Sequence, residues 1–150
     1  MTQNATLSEK KALLMRLLKE KKKTFSYPLS YGQKALWFIY QQAPESPAYN
    51  MAWPMEVRGI LDTATLPSIL ERLVARHPTL RTTIALEEGE PVQAVHPTGN
   101  YQLTEHNAET WSEQELDQAL QTAYEQPFDL SSSPALRVDL FLRSPEHRIL

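Results

Sequence analysis

Leu66, Ile69, Leu70, Leu73 and Val74 recur at three-to-four-residue spacing between Thr63 and Arg76, so the sequence predicts a helix there with one apolar face. Pro67 falls in its first turn, where a missing amide proton costs little. Ser112 and Glu115 have the spacing of a capping box ahead of Leu116, Ala119, Leu120, Ala123 and Tyr124, a second helical face that Pro127 ends. A third helix is expected from Tyr31 to Tyr40, with Ser30 as its N-cap and Pro44 and Pro47 beyond its end. A fourth is expected over Thr6–Lys23, where Thr6 and Glu9 match a capping box and Leu7, Leu14, Leu17 and Leu18 form the apolar stripe.

Elsewhere the period changes from near four to two. Leu136, Val138, Leu140 and Leu142 alternate with Arg137, Asp139, Phe141 and Arg143, the pattern of a half-buried strand. Leu80–Leu86 and Val92–Val95 flank Glu87-Glu88-Gly89-Glu90 and read as a hairpin. Tyr49–Arg58 should be extended, with Pro54 pointing to an edge or a bulge, and Thr24–Pro28 reads as a linker. His147-Arg148-Ile149-Leu150 opens a further strand; the expectation is that the chain is truncated inside it, leaving one edge of its sheet unpaired. Helices and strands together predict an α/β (α+β) fold, a mixed sheet with flanking helices.

Composition narrows the possibilities. A chain of 150 residues with 41% hydrophobic positions can bury a core, and 11 prolines against 4 glycines imply short elements with stiff connections. The absence of cysteine excludes disulfides, thiolate zinc sites and a cysteine nucleophile from this chain. Apolar runs such as Ala12–Met15 are far too short to span a bilayer, and a cytoplasmic protein without a membrane partner is expected. The net charge of −3 is unevenly spread: residues 1–23 hold seven basic and two acidic residues, or +5, and the remaining eight basic and sixteen acidic residues carry −8. This suggests a basic appendage ahead of an acidic domain, and the negative charge of the acidic part argues against nucleic acid as its partner.

Candidate chemistry is sparse. His77, His96, His106 and His147 show neither metal-ligand spacing nor an adjacent activated serine, so surface or capping roles are expected. The four glycines are isolated, which excludes a phosphate-binding glycine loop. Ser131-Ser132-Ser133-Pro134 reads as a turn rather than a nucleophile. Trp37, Phe38, Tyr40, Tyr49 and Trp53 are candidates for stacking on a ligand, with core or interface packing the expectation. Arg76-His77-Pro78-Thr79-Leu80-Arg81-Thr82 places two arginines at a helix–strand junction, where a planar guanidinium either grips a carboxylate or faces water at the helix end.

Four segments carry a family resemblance. Leu29-Ser30-Tyr31-Gly32-Gln33-Lys34-Ala35-Leu36-Trp37 resembles the first signature of nonribosomal peptide synthetase condensation domains, Ser-x-x-Gln-x-x-Leu-Trp, and Arg76–Thr82 is similar to their second, Arg-His-x-x-Leu-Arg-Thr. Gly59-Ile60-Leu61-Asp62 and Pro127-Phe128-Asp129-Leu130 resemble the family's Gly-x-Leu-Asp and Pro-Phe-Asp-Leu. Pro78 departs from the pattern by replacing a frequent glutamate, and Ser46-Pro47-Ala48-Tyr49-Asn50 is closer to peptide-forming members than to cyclising or epimerising ones.

The resemblance implies a chloramphenicol acetyltransferase-like subdomain. Residues 25–150 would be the N-terminal part of a condensation domain, and residues 1–24 a basic amphipathic helix and linker, a candidate docking segment. It implies amide formation between two thioester substrates carried on the phosphopantetheine of partner carrier proteins, with no cofactor or metal bound directly. The alternatives are a stand-alone acyltransferase of the same superfamily or a non-catalytic docking fragment. The family's His-His-x-x-x-Asp-Gly motif, expected shortly after the last strand, is absent from Met1–Leu150, so no catalytic residue is assigned here. By resemblance Arg81 supports that motif by pairing with its aspartate.

Overall fold

A computed structural model describes residues 11, 15, 23–132 and 136–150. The elements run β1 (Phe25–Pro28), α1 (Tyr31–Gln42), β2 (Glu56–Arg58), a 3-10 turn (Thr63–Thr65), α2 (Leu66–Arg76), a second 3-10 turn (Pro78–Arg81), β3 (Thr82–Glu87), β4 (Glu90–Val95), β5 (Gln102–Asn107), α3 (Glu113–Glu125), β6 (Arg137–Ser144) and β7 (His147–Ile149). Apart from residues 11, 15 and 23, the helix expected over Thr6–Lys23 lies outside the described residues.

The strands form two sheets, β1-β4-β3 and β2-β7-β6-β5. The first is antiparallel; the second is mixed, because β5 runs parallel to β6. The expected hairpin is β3–β4, with Glu88 and Gly89 both at positive φ, as a two-residue turn matching strand twist requires. The segment Thr24–Pro28, expected as a linker, is instead largely strand β1, paired with β4 from Phe25↔Val95 to Pro28↔Val92. Its four residues are exposed on a sheet edge, where a proline is tolerated.

One other expectation needs correction. Of the stretch Tyr49–Arg58 only Glu56–Arg58 forms a strand, and β2 is an edge strand, as Pro54 suggested. The last strand, β7, lies between β2 and β6, pairing with Glu56–Arg58 on one side and with Phe141, Leu142 and Ser144 on the other. Strand β5 was not anticipated.

Strand β6 organises the core. Leu140 packs with Leu66 and Leu70 of α2, ringed by Leu61, Tyr101, Leu103, Val138 and Leu142. Phe141, on the opposite face, packs with Ala108 and with Leu116 of α3, ringed by Trp111, Ala119, Leu120 and Ile149. The strand expected to be half-buried is therefore covered on both faces, giving a helix–sheet–helix layering. On α2, Leu66, Leu70 and Val74 are buried while Ile69 and Leu73 are 55% and 40% exposed, so the apolar stripe is wider than the face the sheet covers.

Leu140 is fully enclosed and Ile60 is 92% exposed. Leu140→Ala should cost about 2–5 kcal/mol in denaturant unfolding, whereas Ile60→Ala should stay within about 0.5 kcal/mol. Equal effects would contradict this assignment of the core.

Candidate functional site

Each resembling segment has a definite structural task. Ser30 and Gln33 form a full capping box at the start of α1: the Gln33 N–H donates to Ser30 Oγ at 3.2 Å and the Ser30 N–H to Gln33 Oε1 at 2.9 Å. The free amide of Gln33 donates to Gln93 Oε1 at 3.0 Å, and Gln93 Nε2 donates to the Pro28 carbonyl at 3.1 Å. One side chain thus caps α1 and ties it to the β1–β4 pair. Trp37 is buried and stacked on Tyr40 at 5.1 Å, whereas Phe38, Tyr49 and Trp53 are exposed, so the candidate aromatic set divides between core and surface.

Gly59 has φ of +116°, a conformation that side chains rarely adopt, and its N–H donates to the Glu146 carbonyl at 2.7 Å. Leu61 then joins the α2 core, and Asp62 caps the following turn by accepting the Ala64 N–H at 3.1 Å.

Arg81 sits half-buried between α2 and β3. Its Nη1 donates to the His96 carbonyl, and its own carbonyl accepts the His96 N–H at 3.0 Å. The loop that follows closes tightly over it: a Cβ on Gly99 would come within 2.5 Å of Arg81 Cβ and Val74 Cγ1. Arg81 Nε is enclosed and has no hydrogen-bond partner among the described residues. Pro78 opens the short 3-10 turn, with its carbonyl accepting from the Thr82 hydroxyl at 2.8 Å, so the departure from the family pattern fits the local backbone.

The fourth segment bridges the sheets. The Leu130 carbonyl accepts the Ile84 N–H of β3 at 2.8 Å, and Asp129 Oδ1 accepts from the Tyr40 hydroxyl of α1 at 3.3 Å. Ser131 and Ser132, in the expected turn, donate their hydroxyls to Asp129, and the Ser131 N–H adds a third bond at 2.9 Å. These donors hold the Asp129 carboxyl well below the usual carboxylate range, the Ser131 hydroxyl first. Ser133 lies outside the described residues. Arg137 lies 3.8 Å above the Phe128 ring and donates to the Pro127 and Gln126 carbonyls. Burial draws its guanidinium below its ordinary value, with Asp139 opposing.

The histidines take separate positions. The His77 N–H closes α2 on the Leu73 carbonyl at 3.0 Å, and His96 Nε2 is 2.8 Å from the Thr83 hydroxyl. His147 Nε2 is 2.8 Å from Glu56 Oε1. Glu56 titrates below its ordinary value, through its Arg58 hydrogen bond first. His106 Nε2 lies 2.8 Å from Asp139 Oδ1, and the ring stacks on Phe141 at 4.5 Å. Among the described residues no group of three histidine or acidic side chains is placed to hold a metal ion, and no helix is long and apolar enough to cross a membrane.

A groove of about 670 Å³ opens at the end of β7, lined by Met51, Trp53, Met55, Leu120, Phe128 and Leu150 together with Arg137 and Asp139. Sequence reasoning missed Asn50, Arg137 and the His106–Asp139 pair, because each acts across at least ten residues of chain: Asn50 Nδ2 donates to the Tyr124 and Gln126 carbonyls at 2.7 and 2.9 Å.

A mixed sheet with a helix on each face, beside a smaller antiparallel sheet, defines an α/β fold. The chain overlays a four-domain nonribosomal peptide synthetase bound to AMP and glycine with TM-score 0.77 and 22% identity, covering 85% of this chain and 10% of that one. It overlays the starter condensation domain of rhizomide synthetase with TM-score 0.71 and 24% identity, covering 83% of this chain and 32% of that one. The chain belongs to the condensation domain family, whose model matches residues 23–150. It is 44% identical over 111 residues to a plipastatin synthase from Bacillus subtilis (strain 168), covering 74% of this chain. Against tyrocidine synthase 2 from Brevibacillus parabrevis it is 36% identical over 124 residues, 83% of this chain. The chain spans 4% and 3% of these two relatives. Relatives so much longer do not favour the alternative of a stand-alone acyltransferase.

Because Asp129 titrates below its unfolded value, it contributes stability that is fully present above the ordinary carboxylate pKa of about 3.9 and is lost as pH falls toward its folded value. Asp129→Asn should therefore lower the unfolding midpoint at pH 7, with the difference from wild type narrowing below about pH 4. A difference independent of pH would contradict the assignment.

Proposed function

We propose that this chain forms part of an amide-forming acyltransferase in which the amine of an acceptor substrate attacks the thioester carbonyl of a donor substrate. The C–N bond forms, the C–S bond breaks, and the amine's proton leaves with the carrier thiol. Both substrates arrive on the phosphopantetheine of partner carrier proteins, and the chain binds no cofactor directly. The observation that carries this reading is the condensation-domain match over residues 23–150. The four segments knitted across both sheets support it. In this reading the protein works in the cytoplasm, and the 150-residue chain alone is inactive because it holds no His-His-x-x-x-Asp-Gly motif.

Arg81 is assigned the role of holding that motif in shape through its aspartate. The enclosed, unspent Nε supports this assignment, since a guanidinium with one donor group anchored on the His96 carbonyl keeps others for a carboxylate. In the synthetase that carries this chain, Arg81→Ala should reduce peptide product by roughly a hundredfold, the cost of a misplaced reacting geometry, while loading of the carriers is unchanged. Unchanged product formation would remove Arg81 from the site.

The domain is assigned to residues 25–150 and the basic segment 1–24 to an appendage whose first 23 residues dock onto an acidic tail of an upstream synthase; their charge of +5 supports this. A peptide of residues 1–23 should bind that tail at low salt and lose affinity at high salt. No binding at low salt would sink the docking role.

A further inference from the structure

Helix α3 ends where its own backbone cannot close it. Its C-cap, Gln126, is extended at φ −64° and ψ 120°, and the next residue is Pro127. A helix is commonly closed by the N–H of that next position, which turns back onto a carbonyl of the last turn. Proline has no N–H to give, so the end of α3 takes its donors from side chains. Its own last turn contains no basic residue, and Glu125 adds negative charge to the negative end of the dipole.

Those donors come from distant parts of the chain. Asn50 Nδ2 donates to the Tyr124 and Gln126 carbonyls at 2.7 and 2.9 Å, and Arg137 Nη2 donates to the same Gln126 carbonyl. Asn50 is delivered from the end of α1 by consecutive turns, in which the Ser46 N–H donates to the Ala43 carbonyl at 3.0 Å and the Asn50 N–H to the Pro47 carbonyl at 2.8 Å. Pro44 and Pro47 fix two backbone angles along this path. A second tie runs the same way: the Tyr40 hydroxyl, near the end of α1, reaches Asp129 Oδ1 just beyond α3 at 3.3 Å. Because α1 is fastened to the β1–β4 pair through Gln33 and Gln93, and α3 packs on β6 through Leu116 and Phe141, these ties join the two sheets.

We infer that Asn50 is a conformational latch, a long-range C-cap that couples the ends of α1 and α3 so that loop 43–50 and the last turn of α3 open together. All donors and acceptors of the latch lie between Tyr40 and Arg137 in the chain, and it is independent of the reaction proposed above. Its strength lies in the amide donors rather than in the shape of the side chain. An aspartate at position 50 has the same shape but no donor, and it brings negative charge to the negative end of the helix dipole.

Native-state hydrogen exchange on the intact protein that carries this chain reads the opening of each segment separately. In Asn50→Ala and in Asn50→Asp, the amides of residues 46 and 50 and those of Ala123, Tyr124 and Glu125 should all exchange faster by roughly five- to thirtyfold, the effect of losing two side-chain hydrogen bonds. Leu66→Ala truncates the core on the opposite face of the sheet and is the control for stability. It should lower Tm and leave those five amides at wild-type rates, because their local opening breaks no contact of Leu66. The inference is overturned if the loop accelerates without the end of α3, or α3 without the loop. Wild-type rates in Asn50→Asp overturn it too, as does acceleration of the same five amides in Leu66→Ala, which would mean that they open only with the whole domain.

Discussion

Strand β6 satisfies two opposed requirements, and the rest of the structure follows from how it does so. Both faces are covered, yet Arg137, Asp139 and Arg143 lie on the face under α3. Leaving a charge desolvated and unpaired costs several kcal/mol, far more than the roughly 1 kcal/mol of a single hydrogen bond. Every charge on that face is accordingly matched. Arg143 donates to the Ala108 carbonyl at 3.0 Å, to the Trp111 carbonyl and to Glu113; Asp139 meets His106; Arg137 meets Phe128 and the carbonyls of Gln126 and Pro127. An arginine near a helix N-terminus opposes the dipole by about 0.3–1 kcal/mol. Glu113, in that first turn, offsets it. The strand thus grips α3 at both ends.

The family segments act as backbone fasteners around this core. Gln33 joins α1 to the β1–β4 pair, Gly59 and Asp62 shape the entry to α2, and Arg81 with Gly99 locks the α2–β3 junction. Asp129 and Leu130 then link α1 and β3 to the chain entering β6. Polar residues at these points are used because they satisfy backbone groups that neither helix nor ladder reaches.

What was legible in the sequence was what is local. The helix starts at Ser30 and Ser112 could be read because a cap needs only residues three apart, and the β3–β4 hairpin because its turn needs two residues of positive φ. Strand β1 was read as a linker because its four residues are all exposed and end in proline. Strand β5 shows little alternation of its own, since its pairing with β6 is parallel and its neighbours lie more than thirty residues away. Strand β6 read as half-buried because three charges stood where a solvated face would put them; their partners on α3 and β5 are visible only once the chain is folded. Of the candidate site, Arg81 was found through a family pattern, whereas Asn50 and Arg137 act through backbone carbonyls that no motif records.

If β6 is the element on which both layers depend, its amides should open only with the whole domain. Native-state hydrogen exchange measures this directly. The account predicts that the amides of Leu140, Phe141 and Leu142 are among the slowest to exchange and that their opening free energy equals that of global unfolding, while those of β1 and β2 exchange faster. Amides of the β3–β4 hairpin that remain protected after those of β6 have exchanged would contradict it.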